Sequence, residues 1–184
     1  LDWCTTYGTK LLSPFTSHLF STNNIHVLEP FYTIFLLVGV ILLGVKPNIA
    51  ATRQKIIYWT LGLSSLYLMW TFTSKGIANQ HFVAALKTQN IQYEKLLLSP
   101  TPLNSILWHG IAKTENGYYF ATYSLFDTRK EIDFIYEESA NDIIPEISSN
   151  RLVKYYLDYA QNFPLITQDT SGNIKIYAIK YGSI

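Results

Sequence analysis

The first fifteen residues, LDWCTTYGTKLLSPF, hold the stretch of this chain whose residue types point most clearly to chemistry. An acid, Asp2, stands among Thr5, Thr6, Gly8 and Pro14 in an otherwise apolar context. A carboxylate at the edge of an apolar segment is costly unless paired or bound to a metal, so it defaults to a functional residue. The structural alternative is that Asp2 caps a helix, where Asp is favoured. The residues alone leave both readings open. A second acid, Glu29, sits at the edge of an uncharged run. The four histidines (His18, His26, His81, His109) are scattered and never paired at helical spacing, so each reads as a surface or interface residue. Cys4 is the sole cysteine, which excludes an intrachain disulfide and a cysteine-based zinc site. It reads as a small apolar side chain. Glu137 and Glu138 read as a solvated loop. The sequence contains no H-E-x-x-H, G-x-S-x-G, P-loop or G-x-G-x-x-G pattern.

The elements that position these residues follow from composition. The chain has 184 residues, 48% hydrophobic and 15% charged, against about 25% charged in soluble domains. That excludes a disordered chain. A net charge of +1 lacks the basic signature of a nucleic-acid binder. Residues 1–75 carry five basic and two acidic side chains, and residues 76–184 carry nine and eleven. The boundary is placed near Lys75. Pro30 to Val45 is a run of sixteen uncharged residues, and Ile56 to Ser74 one of nineteen. A spanning helix needs roughly 20 apolar residues, with a usual range of about 17–25. The second run meets this and the first does so by starting near Ile25. Two transmembrane helices are therefore expected over the alternative of two buried helices of a soluble protein, with Phe31, Tyr32, Trp59, Tyr67 and Trp70 as headgroup-level rings. Lys46, Arg53 and Lys55 then mark the connection as cytoplasmic, with residues 76–184 periplasmic or otherwise extracytoplasmic. The lipid bilayer is the expected partner, and nucleic acid is not. The chain begins at Leu1 without a charged leader, so no signal peptide is visible and a portion of something longer is expected.

Beyond Lys75 the expectation is a small α+β domain with an antiparallel sheet. The second helix runs on through GIANQHFVAALKTQNIQYEKLLL and ends at Ser99 to Pro102. SILWHGIAKT and YYFATYSLF flank Glu115-Asn116-Gly117 as a hairpin, with Asn-Gly in a primed turn at positive φ. A third β-rich stretch covers Ile132 to Tyr136. Arg151 to Asn162 reads as a helix with Leu152, Val153, Tyr156, Leu157 and Ala160 on one side. Leu165 to Thr167 and Ile174 to Tyr181 flank Ser171-Gly172-Asn173 as a last hairpin. The tyrosines after residue 90 read as strand packing, with an aromatic ligand platform as the alternative.

Leu1-Asp2, Thr5-Thr6-Tyr7-Gly8-Thr9 and Leu11-Leu12-Ser13-Pro14-Phe15 resemble the motif stretch of the YdjM-like membrane-bound metal-dependent hydrolases. The resemblance continues through Glu29-Pro30-Phe31-Tyr32-Thr33, where relatives have Asp-Pro-Leu-Tyr-Thr. It extends to Ser64-Ser65-Leu66-Tyr67, Ser99 to Asn104, Leu107-Trp108, Gly117 to Tyr119 and Tyr123 to Asp127, as in longer members with a C-terminal domain. It implies an inner-membrane hydrolase in which His and Asp ligands hold a divalent metal. The metal would lower the pKa of a bound water near the membrane surface. Of the implied ligand set only Asp2 falls in this chain, with the rest upstream, so the chain by itself is expected to be inactive. Asp2 would bind the metal or orient a neighbouring His. Thr5, Thr6, Gly8, Pro14 and Glu29 would support the motif, Glu29 being one methylene longer than the usual Asp. The rival expectation is a non-catalytic membrane-anchored module in which residues 76–184 bind a partner.

Overall fold

A computed structural model describes residues 2–16, 18–45, 49–128, 131–169 and 172–182. The chain divides into two compact units. One comprises residues 1–79 with 99–108, and the other residues 80–98 with 109–184.

In the first unit a 3-10 turn at Asp2–Cys4 leads through irregular chain to two helices, α1 (Pro30–Val45) and α2 (Ala50–Thr88). Pro30 opens α1, where its missing N–H costs nothing. The helices meet closely at Gly39, where a Cβ would lie 2.4 Å from Thr60 Oγ1. Only glycine admits that approach. Arg53 Nη1 donates to the Leu43 carbonyl at 3.2 Å, satisfying one of the open carbonyls at the end of α1.

The interior of this unit is polar. Ser64, Thr71 and Ser74 of α2 are buried, and Tyr67 lies on the same stripe at steps of three and four. Leu61, Leu63, Leu66, Met69 and Trp70 of the same helix are exposed. Asn24 Nδ2 donates to Thr71 Oγ1 at 2.8 Å, and Trp108 Nε1 donates to Ser74 Oγ at 2.9 Å. Lys75 Nζ donates to the Thr22 carbonyl, and burial lowers the pKa of that ammonium.

The second unit is built on strands. Strands β1 (Lys95–Pro100), β2 (Leu107–Lys113), β3 (Gly117–Ser124) and β4 (Ile135–Glu138) form one sheet in sequence order. β3 and β4 are antiparallel, with Tyr119 opposite Tyr136. After short α3 (Ile144–Ile147) and α4 (Arg151–Tyr159), β5 (Pro164–Gln168) and β6 (Ile174–Ala178) pair antiparallel, Ile166 opposite Ile176. Asn150 caps α4 by accepting from the Leu152 N–H at 2.9 Å. Leu97, Ile111, Tyr118, Phe163, Leu165 and Ile179 form one apolar core cluster.

Five expectations are corrected, the first being Glu137 and Glu138, which pair in β4 opposite Tyr118 and Gly117 and are not a loop. Among the described residues no helix is long and apolar enough to cross a membrane. With sixteen residues α1 measures about 24 Å at 1.5 Å per residue, short of the ~30 Å hydrocarbon core. The 39 residues of α2 suffice in length, but hydroxyls from Thr60 to Ser74 and the charge of Lys75 dilute its apolar run. The two transmembrane helices are thus overturned, and the sidedness derived from them falls as well. Arg53 and Lys55 lie within α2 and not in a loop; Lys46 to Asn48 are outside the described residues.

The turn before β3 is not primed, because neither Asn116 nor Gly117 adopts positive φ. Gly117 is required for another reason: a Cβ there would meet the Glu137 carbonyl oxygen at 2.2 Å. The second helix stops at Thr88, and Lys95–Pro100 is a strand. In α4 the supposed inward side is largely open, since Leu152 is 78% exposed, and Ala160 just past its end is buried. The last hairpin stands, with Gly172 at φ +81°; Ser171 is outside the described residues.

Candidate functional site

Asp2 and Glu29 are 27 positions apart in sequence, yet they line one cleft of about 290 Å³ in the first unit. Thr5, Gly8, His26 and Tyr32 also line it. The turn at Asp2–Cys4 fixes one wall. Its closing bonds run from the Thr5 N–H to the Asp2 carbonyl at 3.0 Å and from the Thr5 hydroxyl to the same oxygen at 2.7 Å. Gly8 sits at φ +73°, where a side chain would also press on the Phe20 carbonyl at 2.7 Å. Thr9 and Phe20 then pair through backbone bonds of 2.9 and 3.0 Å, which return the chain toward the cleft.

The two carboxylates differ. That of Asp2 is exposed. Glu29 is only 5% exposed and is held by α2, because the Tyr67 hydroxyl donates to Glu29 Oε1 and lies 2.9 Å from Ser105 Oγ. Burial, and then the hydrogen bond to Glu29, raise the Tyr67 pKa well above the usual phenol range, so Tyr67 stays protonated. Glu29 Oε2 is buried without a partner among the described residues. Such an orphan normally costs free energy and calls for a reason. His26 Nδ1 accepts from the Leu28 N–H at 3.2 Å, which leaves Nε2 for other use.

Of the residues picked out in the sequence, Asp2, Thr5, Gly8 and Glu29 come together here. Thr6 and Pro14 do not line the cleft. The unanticipated members are His26 and, behind Glu29, the Tyr67–Ser105 pair. The hydroxyl periodicity of α2 is the signal that could have pointed to Tyr67, whereas nothing local marks Ser105. Asp2 lies inside the 3-10 turn, where its backbone carbonyl and not its side chain accepts the closing bonds. Among the described residues no three His, Cys, Asp or Glu side chains form a group able to hold a metal ion. The acids and the imidazole of this cleft therefore do not make a metal site by themselves.

Residues 1–78 match the family model of the YdjM inner membrane protein. The resemblance read in the sequence is borne out over that stretch. The matched description names an inner membrane protein and mentions neither hydrolysis nor metal. No curated protein and no solved structure matches the chain at a significant level.

Proposed function

We propose that this chain forms part of a membrane-associated, metal-dependent hydrolase whose chemical site is the Asp2–Glu29 cleft. The observation that carries the reading is the cleft itself, which gathers an exposed acid, a buried acid with an unused oxygen, and a histidine beside Thr5 and Gly8. The divalent metal comes from the resemblance. Asp2 is then one donor, and the remaining donors lie outside the described residues, which form no three-ligand group. The bilayer is the partner assigned to α1 and α2, whose outward apolar side chains exceed what an ordinary water-facing surface carries. A site so placed favours a lipid-linked or envelope substrate.

A second reading, a non-catalytic membrane-bound module, draws support from the same missing ligand group. Metal analysis of the purified full-length protein separates the two. The hydrolase reading expects a bound divalent metal that is lost, or held about 10–100-fold more weakly, in Asp2→Asn. Metal content unchanged by the substitution removes Asp2 from the site. A metal-free parent that still co-sediments with lipid vesicles leaves the module.

A further inference from the structure

In the second unit, a cleft of about 590 Å³ opens between the residues that follow α2 and the β2–β3 turn. That volume lies within the usual range of small-molecule sites. Tyr119 and Tyr136, register partners on β3 and β4, set their rings in it with centroids 4.8 Å apart and 47° between planes. The Tyr136 hydroxyl is anchored, donating to the Asn116 carbonyl at 3.1 Å. Tyr93, also in the lining, is 36% exposed. Asn90, Gln92 and Glu115 are exposed on the lining, and their side-chain amides and carboxylate make no hydrogen bond among the described residues.

These features select a ligand chemistry. The lining holds the carboxylates of Glu94 and Glu115 and, among the described residues, no lysine or arginine. The neighbouring Lys113 is paired with Glu94 at 3.3 Å, so the lining offers phosphate and other anions no cation of its own. Amides both donate to and accept from hydroxyls, and carboxylates accept from them. Aromatic rings offer a flat apolar face with a polar handle. A ring with an apolar C–H face and a rim of hydroxyls meets both demands. We propose that this cleft binds a neutral pyranose saccharide, stacked on the tyrosine pair and held at its hydroxyls by Asn90, Gln92 and Glu115.

The test is saturation-transfer NMR on the full chain with maltotriose, cellotriose and tri-N-acetylchitotriose, and with trigalacturonic acid as the charged counterpart. Transfer to at least one neutral trisaccharide is expected, with a millimolar dissociation constant. Tyr119→Ala should abolish it. Gln92→Ala, an exposed change that leaves the fold intact, should weaken it by roughly tenfold, as loss of a hydrogen-bonding contact would. Tyr155→Ala, on the exposed face of α4, should leave it unchanged. No transfer to any neutral sugar overturns the proposal. So does equal transfer in Gln92→Ala and the parent, or transfer to trigalacturonic acid as strong as to the neutral sugars.

Discussion

The two units differ in the balance of what they bury. The first hides Ser64, Thr71, Ser74, Asn24 and Glu29 and turns leucines outward. The second hides Leu97, Ile111, Phe163 and Leu165 in an apolar cluster. In the second unit, removal of apolar area from water is the main driving force. In the first, the directional bonds of Asn24 to Thr71, Tyr67 to Glu29 and Trp108 to Ser74 set the packing. A buried polar network of this kind specifies one arrangement, but each member left unpaired is expensive. The same residue type should therefore have different worth in the two units.

The largest contrast is between two leucines. Leu165 is fully buried in the second unit, and Leu165→Ala should cost about 2–5 kcal/mol through lost burial and the cavity left behind. Leu66 is 63% exposed on α2, and Leu66→Ala should stay within about 0.5 kcal/mol. Denaturant midpoints of the two variants check this, and comparable losses would break the contrast. Next is Gly117→Val. Its Cβ would collide with the Glu137 carbonyl, a backbone atom that cannot swing away, so a loss of about 1–3 kcal/mol is expected. A valine variant that unfolds at the parent's midpoint would mean that β3 and β4 are not so close.

Thr71→Val probes the polar interior of the first unit at nearly constant volume. It leaves the Asn24 amide without its acceptor, and a loss of about 1–3 kcal/mol is expected despite the gain in apolar surface. Greater stability on thermal melting would show that the stripe is not the organising feature of this unit.

The smallest effect is a pH dependence in the second unit. His109 stacks on Phe120 at 6.1 Å, its Nε2 is buried without a partner among the described residues, and burial lowers its pKa. The unfolded chain therefore binds this proton more readily than the folded one. The contribution is fully present above the ordinary imidazole range near 6.5 and is lost as pH falls below it. His109→Gln should flatten that part of the stability profile. An unchanged slope in the variant would assign the dependence to other groups.

Local pattern made some of this legible. The uncharged run from Pro30 to Val45 has the bounds of α1, and the two stretches flanking Glu115-Asn116-Gly117 foretold β2 and β3. Asn116-Gly117 shows the limit of reading by letter. The dipeptide suits a primed turn, but here the glycine serves a cross-strand contact made by tertiary pairing. Lys95–Pro100 was masked by three leucines that also continue a helical reading. The membrane spans fail because absence of charge does not report length or apolarity: α1 has sixteen residues, and hydroxyls interrupt the uncharged run of α2. The candidate site was half legible. Asp2 and Glu29 stand out as lone acids in apolar surroundings. The Tyr67–Ser105 support spans 38 positions and exists only once the chain has returned.

Trp108 gives the first unit an optical signature. It is fully buried, with its indole N–H shared between Ser74 Oγ at 2.9 Å and the Ser105 carbonyl at 3.2 Å. Trp3, Trp59 and Trp70 are exposed. An aqueous quencher such as iodide should silence the outward indoles and leave an emission component from Trp108, shifted to the blue by its dry surroundings. Loosening the seryl pair would let the quencher in, so that one colour of light follows the integrity of the polar interior.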